Sequence, residues 1–175
     1  MFVAVLELSG VEPRDVRDVE ESFRVLVGGL DPDAVTPADA KRLWARFDAI
    51  ERLAASAKTL LARRVEDGRS WPRDGYRSAA EELAIVAGTS ISAARNQLET
   101  SKRVEALPAT AEALRSGALS AAKAEVVAGA ATVAPEEEER LLEVAARAPL
   151  AEVREECLRA KGAGGSRRGA RTHPS

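Results

Sequence analysis

Apolar residues return along this chain at alternating spacings of four and three, the period of a helix that buries one face. Leu43, Phe47, Ile50, Ala54, Ala57 and Leu61 keep that rhythm without a break, which predicts a long helix whose stripe is buried against another helix. Its start is signalled by Thr36-Pro37-Ala38-Asp39: a capping hydroxyl, a proline at the first helical position and an acid facing the positive helix end. The helix is expected to run to about Asp67 and to stop at Gly68. Upstream, Val16, Val19, Phe23, Val25, Leu26 and Leu30 follow a looser helical pattern ending at Gly28-Gly29. Residues 1–35 therefore read as a short acidic helical segment, with three basic and eight acidic residues.

Beyond Gly68 the punctuation is dense. The loop to Tyr76 contains Trp71, Pro72 and Gly75, turn chemistry carrying rings that pin helices together. Ser78-Ala79-Ala80-Glu81 has capping-box spacing and opens a short helix, which Gly88 ends in the left-handed conformation. A second helix starts at Ser90, continues to about Ala106 and stops before Pro108. Helices are further expected between Pro108 and Gly117, from Ser120 to about Thr132, from Pro135, and from Pro149 to about Lys161. The acids Glu136 to Glu139 sit in a first helical turn, where they complement the helix dipole and face water rather than forming a metal site. From Gly162 to Ser175 there is no apolar periodicity, and this stretch reads as a disordered basic tail following a helical domain of residues 36–161.

Composition narrows the class. With 45% hydrophobic but only 3% aromatic residues, the core must be filled by Leu, Val, Ile and many Ala. Such residues suit close helix packing, so the expected fold is all-α: a multi-helix bundle with one long helix and a helix-turn-helix-like pair. A formal net charge of −2 provides no whole-chain attraction for nucleic acid. Cys157 is the sole cysteine, which excludes an internal disulfide and multi-cysteine metal sites; with Glu155 and Glu156 beside it, it reads as a packed thiol. His173 is the sole histidine and is the third residue from the end, so histidine-based triads and metal clusters would all depend on it. The opening apolar run is interrupted by Glu7 and preceded by no basic residue, and no run approaches the roughly 18 residues of a bilayer span. A cytoplasmic chain with no membrane partner, metal or cofactor is expected.

The most informative stretch runs from Glu82 to Leu98. Ala84, Gly88, Ala94 and Leu98 provide a small contact residue, a turn glycine and apolar residues pointing back, the requirements of two helices crossing steeply. This spacing resembles the helix-turn-helix of DNA-binding proteins. Ser90 then caps the recognition helix, and Ser92, Arg95 and Asn96 project toward a major groove, where Arg pairs with guanine and Asn with adenine. Lys102 and Arg103 would flank it as phosphate contacts. Helical hairpins with a glycine turn also occur in folds that never touch DNA, and residues 78–104 contain only three basic against three acidic residues.

Trp71, Gly75, Ser78-Ala79, Glu82-Leu83-Ala84, Gly88-Thr89-Ser90, Ala94, Leu98, Ala106 to Thr110, Ala113-Leu114, Gly117 to Ser120 and Lys123-Ala124 together resemble the domain of unknown function 222 family. The resemblance covers roughly residues 36–160. It implies a helical, DNA-associating domain, which in that family forms the N-terminal half of many actinobacterial HNH endonuclease proteins. An HNH site needs a histidine base and a second histidine or asparagine on a divalent metal. Here the only candidates, Asn96 and His173, are separated by the C-terminal half, so catalysis is not expected to carry over and the chain reads as a truncated copy.

Two functional classes follow. In the first, the domain is a non-catalytic binder of double-stranded DNA, with Ser90, Ser92, Arg95 and Asn96 as readers. In the second, the long helix and its Ala-rich stripe form an interaction module for a second copy, as a homodimer, or for a partner helix.

Overall fold

The computed structural model describes residues 12–170. Eight α-helices and no strand are present among them: α1 (Pro13–Gly28), α2 (Pro37–Gly68), α3 (Ala79–Ala87), α4 (Ile91–Val104), α5 (Pro108–Arg115), α6 (Ala121–Ala131), α7 (Glu138–Arg147) and α8 (Leu150–Ala170). The all-α class expected from apolar spacing and ring-poor composition is therefore the class observed. None of the described helices is long and apolar enough to cross a membrane. The opening apolar run and His173 lie outside the described residues. The chain divides into two compact units between Ala45 and Arg46.

The first unit contains α1, a short 3-10 turn (Pro32–Ala34) and the first turns of α2. Thr36 works as its position requires: its hydroxyl accepts the Asp39 N–H at 3.2 Å and donates to the Asp39 carboxylate at 2.8 Å. No residue of α1 is buried, and Val19 and Val25 remain 67% and 68% exposed.

In the second unit α6 is central, packing against α4, α5, α7 and α8. Ala124, Ala128, Ala130 and Ala131 are fully buried there with Val127, so small side chains let the surrounding helices approach closely. Around them Leu114, Leu119, Leu141, Val153 and Cys157 complete one apolar cluster. A second cluster joins the C-terminal half of α2 to α3 and α4 through Ala62, Ala79, Ala80, Ala84, Ala94 and Leu98, with Trp71 and Leu83 partly buried against it. Helix starts follow local capping: Ser78, Ser90 and Ser120 each accept an N–H three residues on, from Glu81, Ala93 and Lys123. Gly117 follows α5 with φ +70°, a backbone conformation that favours glycine, and a Cβ there would stand 2.9 Å from Leu53 Cδ2, displacing that side chain.

Three expectations are corrected. The α2 stripe of Leu43, Phe47, Ile50, Ala54, Ala57 and Leu61 is not the packed face: Leu61 is 59% exposed, whereas Ser56, Thr59 and Ala62 are buried. Beside the apolar cluster, polar residues join α2 to α4, with Ser101 Oγ accepting the Arg63 N–H at 3.1 Å and Gln97 Nε2 donating to Thr59 Oγ1 at 3.3 Å. Hydrophobic periodicity gives such a seam no weight. Second, Glu138 does not face water. It is buried and takes both hydrogen-bond donors of Thr110 at the start of α5, a helix whose own N-cap, Leu107, has no side-chain acceptor. Third, α8 continues through Gly162 to Ala170 where a disordered tail is expected. Gly164 is buried, with its Cβ position 3.0 Å from Ala134 Cβ and 3.2 Å from the Val133 carbonyl oxygen. Here glycine permits a close approach rather than breaking the helix; residues 171–175 lie outside the described residues.

Candidate nucleic-acid interface

The α3–α4 pair is built as its sequence demands. Gly88 takes φ +62° and ψ +35°, the left-handed conformation that non-glycine residues enter only at a cost, and its N–H and that of Thr89 close α3 onto Ile85 and Ala84. Ser90 then caps α4, its Oγ accepting the Ala93 N–H at 3.1 Å. Ala84, Ala94 and Leu98 all enter the second apolar cluster, the inward roles assigned to them. Glu81 departs from the capping-box form. Its carboxylate passes Ser78 and takes the Arg77 backbone N–H at 2.6 Å and Arg77 Nη2 at 2.7 Å. Those hydrogen bonds hold the Glu81 carboxyl below the usual range and raise the Arg77 guanidinium.

The six residues proposed to meet DNA all belong to α4 or its cap, but their circumstances differ. Ser92 and Arg95 are exposed, and Arg95 joins none of the ion pairs among the described residues. It borders a groove lined also by Glu66, Trp71, Arg77, Leu98 and Glu99. Asn96 is exposed, and its Nδ2 donates to Glu125 Oε1 on α6 at 3.1 Å. Lys102 is held between Glu66 at 2.8 Å and Glu99 at 3.2 Å, which raise its ammonium above the ordinary lysine range. Ser90 is occupied as the cap.

Arg103 is placed differently. Its Nη1 lies 3.6 Å, and Lys161 Nζ 3.4 Å, from the Cβ position of Gly129 on α6. Two cations thus converge over a residue without a side chain, and neither forms an ion pair among the described residues. Sequence reading missed Lys161, because its approach to Arg103 depends on α4 and α8 meeting across α6, which no local spacing records. The Glu99–Lys102 pairing was open to the sequence as a helical i,i+3 contact, whereas Glu66–Lys102 needed the tertiary fold.

Elsewhere the chemistry is quiet. Among the described residues no cluster of His, Cys, Asp and Glu is placed to hold a metal ion. Cys157 is buried, and desolvation pushes its thiol up, outweighing the opposing effects of Lys161 and Arg140.

Searches of curated proteins and of solved structures give no match to this chain. A family model described as a domain of unknown function, DUF222, matches residues 41–161, more than half of the chain and all of α3 to α7. The chain is a member of the DUF222 family.

Proposed function

We propose that this domain is a non-catalytic binder of double-stranded DNA that presents α4 to the major groove. The observation that carries the reading is the side-chain partition of α4: Ala94 and Leu98 are buried behind a left-handed Gly88 turn, while Ser92 and an unpaired Arg95 stand outward. Arg95 is the base reader, and Arg103 with Lys161 supplies phosphate contacts that need no carboxylate displaced. Asn96 and Lys102 engage only by exchanging Glu125, Glu66 and Glu99 for DNA, so their contribution is smaller than their chemistry alone suggests.

The test is fluorescence anisotropy of labelled duplex DNA at about 50 and 200 mM salt. With Arg95, Arg103 and Lys161 as its cationic contacts the reading expects a shallow salt slope, corresponding to about two or three phosphates. Arg95→Ala should weaken binding to a preferred sequence by roughly 1–3 kcal/mol, and Arg103→Ala should weaken binding to all sequences alike. Absence of DNA affinity, or Arg95→Ala binding equal to wild type, would overturn it.

A further inference from the structure

We infer that Arg103, Lys161 and Gly129 form a discrete site for one phosphate group, seated over the bare backbone of α6 and held from α4 and α8. This deepens the assignment of the two cations as phosphate contacts. It rests on the DNA reading only for the source of the phosphate, since the same chemistry takes a free phosphate or one in a nucleic-acid backbone.

Beyond the backbone of α6 and the adjoining residues, the three atoms nearest the Cβ position of Gly129 all belong to these two side chains. They are Lys161 Nζ at 3.4 Å, Arg103 Nη1 at 3.6 Å and Lys161 Cε at 4.0 Å. Two cations thus reach one spot from different helices and stand within about 7 Å of each other, where like charges repel. Both residues are partly buried, so solvent screens that repulsion less than it would on an open surface. Neither cation forms an ion pair or a side-chain hydrogen bond among the described residues, and the nearby carboxylates are engaged elsewhere. Glu125, one turn before Gly129, accepts from Asn96; Glu99, one turn before Arg103, is paired with Lys102; and Glu105 is paired with Arg63. An oxyanion placed between the two relieves their repulsion. A planar guanidinium fork beside a compact ammonium is the donor set that suits the several oxygens of a phosphate.

Gly129 is an independent observation. It is the only glycine of α6, a helix otherwise made of Ala, Val, Lys123 and Glu125, and a glycine inside a helix is destabilising relative to alanine. Packing does not require it. At Gly164 a methyl would meet the Val133 carbonyl oxygen at 3.2 Å, whereas at Gly129 it would meet only the flexible ends of Lys161 and Arg103 at ordinary contact distance. The missing side chain leaves the space above α6 to whatever the two cations hold.

Titration of the full chain with inorganic phosphate at constant ionic strength, followed by NMR of backbone amides and arginine side chains, tests this. Saturable shifts centred on Gly129, Arg103 and Lys161 are expected, with a millimolar dissociation constant. Arg103→Gln and Lys161→Gln should each raise that constant roughly tenfold. Gly129→Ala should weaken phosphate binding while raising the melting temperature by about 2–4 °C, since the helix gains what the site loses. Gly129→Glu, which supplies an internal carboxylate to the two cations, should abolish the phosphate shifts and melt above Gly129→Gln. Unsaturating shifts spread over the exposed basic residues overturn the inference, as does a Gly129→Glu variant that binds phosphate like wild type. Anisotropy with labelled duplex DNA separates this from the DNA reading. DNA binding by a chain whose Gly129 region ignores phosphate overturns the site and leaves the reading standing. Saturable phosphate binding without DNA affinity supports the site for a free phosphate and overturns the reading. Where both bind, competition between inorganic phosphate and DNA assigns a backbone phosphate to the site, and its absence assigns a free one.

Discussion

One carboxylate oxygen of Glu138 accepts both donors of Thr110, the backbone N–H at 2.7 Å and the hydroxyl at 2.8 Å, joining residues 28 positions apart in a buried setting. Thr110 is the third residue of α5, where a helix N–H lacks an intrahelical partner. A neighbouring helix therefore performs the capping that Leu107 cannot, and the negative charge also opposes the α5 dipole favourably. Glu138→Ala strands two buried donors and should cost about 3 kcal/mol in urea denaturation. Thr110→Val removes only the hydroxyl and should cost about 1 kcal/mol. Because both changes act on one oxygen, the double variant should lose less than the two single losses together.

Gly162 and Gly164 of α8 should respond in opposite directions. Gly162 has open space around its Cβ position, so Gly162→Ala should stabilise the helix by about 0.5–1 kcal/mol through reduced backbone entropy. Gly164→Ala places a methyl 3.0 Å from Ala134 and 3.2 Å from the Val133 carbonyl, forcing α8 away at a cost of about 1–2 kcal/mol. Thermal melts followed by circular dichroism distinguish the pair.

Cys157 should stay unlabelled by a thiol reagent in the native protein and react fully in urea, because its side chain is buried against α6 and α7. Its folded thiol titrates above the unfolded one. The folded state thus holds the proton longer, so stability is unaffected below the unfolded thiol range of about 8.5 and declines as pH rises beyond it. Unfolding midpoints measured through that alkaline window should fall for wild type and stay flatter for Cys157→Ala.

The Arg77–Glu81 pair sets a contribution at the acid end. Glu81 titrates lower when folded, so its contribution is complete above the unfolded carboxylate range and is lost as pH falls through the lowered folded value. The difference in melting temperature between wild type and Arg77→Ala should accordingly shrink on acidification from neutral pH and close once Glu81 is protonated.

Helix starts were legible because a cap is a local event. Thr36, Ser78, Ser90 and Ser120 each satisfy an N–H three residues away, and Gly88 acts within its own turn. The α3–α4 pair, with Ala84, Ala94 and Leu98 inward, was legible for the same reason. The burial of α2 was not, because its packed face is Ser56, Thr59 and Ala62, joined to α4 by hydrogen bonds, while its most apolar stripe remains outside. Glu138, and Glu125 and Glu66 that hold Asn96 and Lys102, escaped for a related reason. A charged residue reads as solvated surface until the fold brings a partner from another helix. Of the candidate reader positions, sequence could specify the helix but not which side chains were already occupied.

The alanine-lined α6 has one more consequence, for the order in which the molecule opens. Enclosed by four helices and stabilised by tertiary contact rather than by any large side chain of its own beyond its valines, α6 is expected to exchange its amide hydrogens only when the whole second unit unfolds. Its protection factors thus report global stability, while the amides of α1, where no residue is buried, reach solvent through fraying of a single helix. Slow exchange expected in α6 and fast exchange expected in α1 would divide the chain kinetically into a part that opens as one cooperative block and a part that opens on its own.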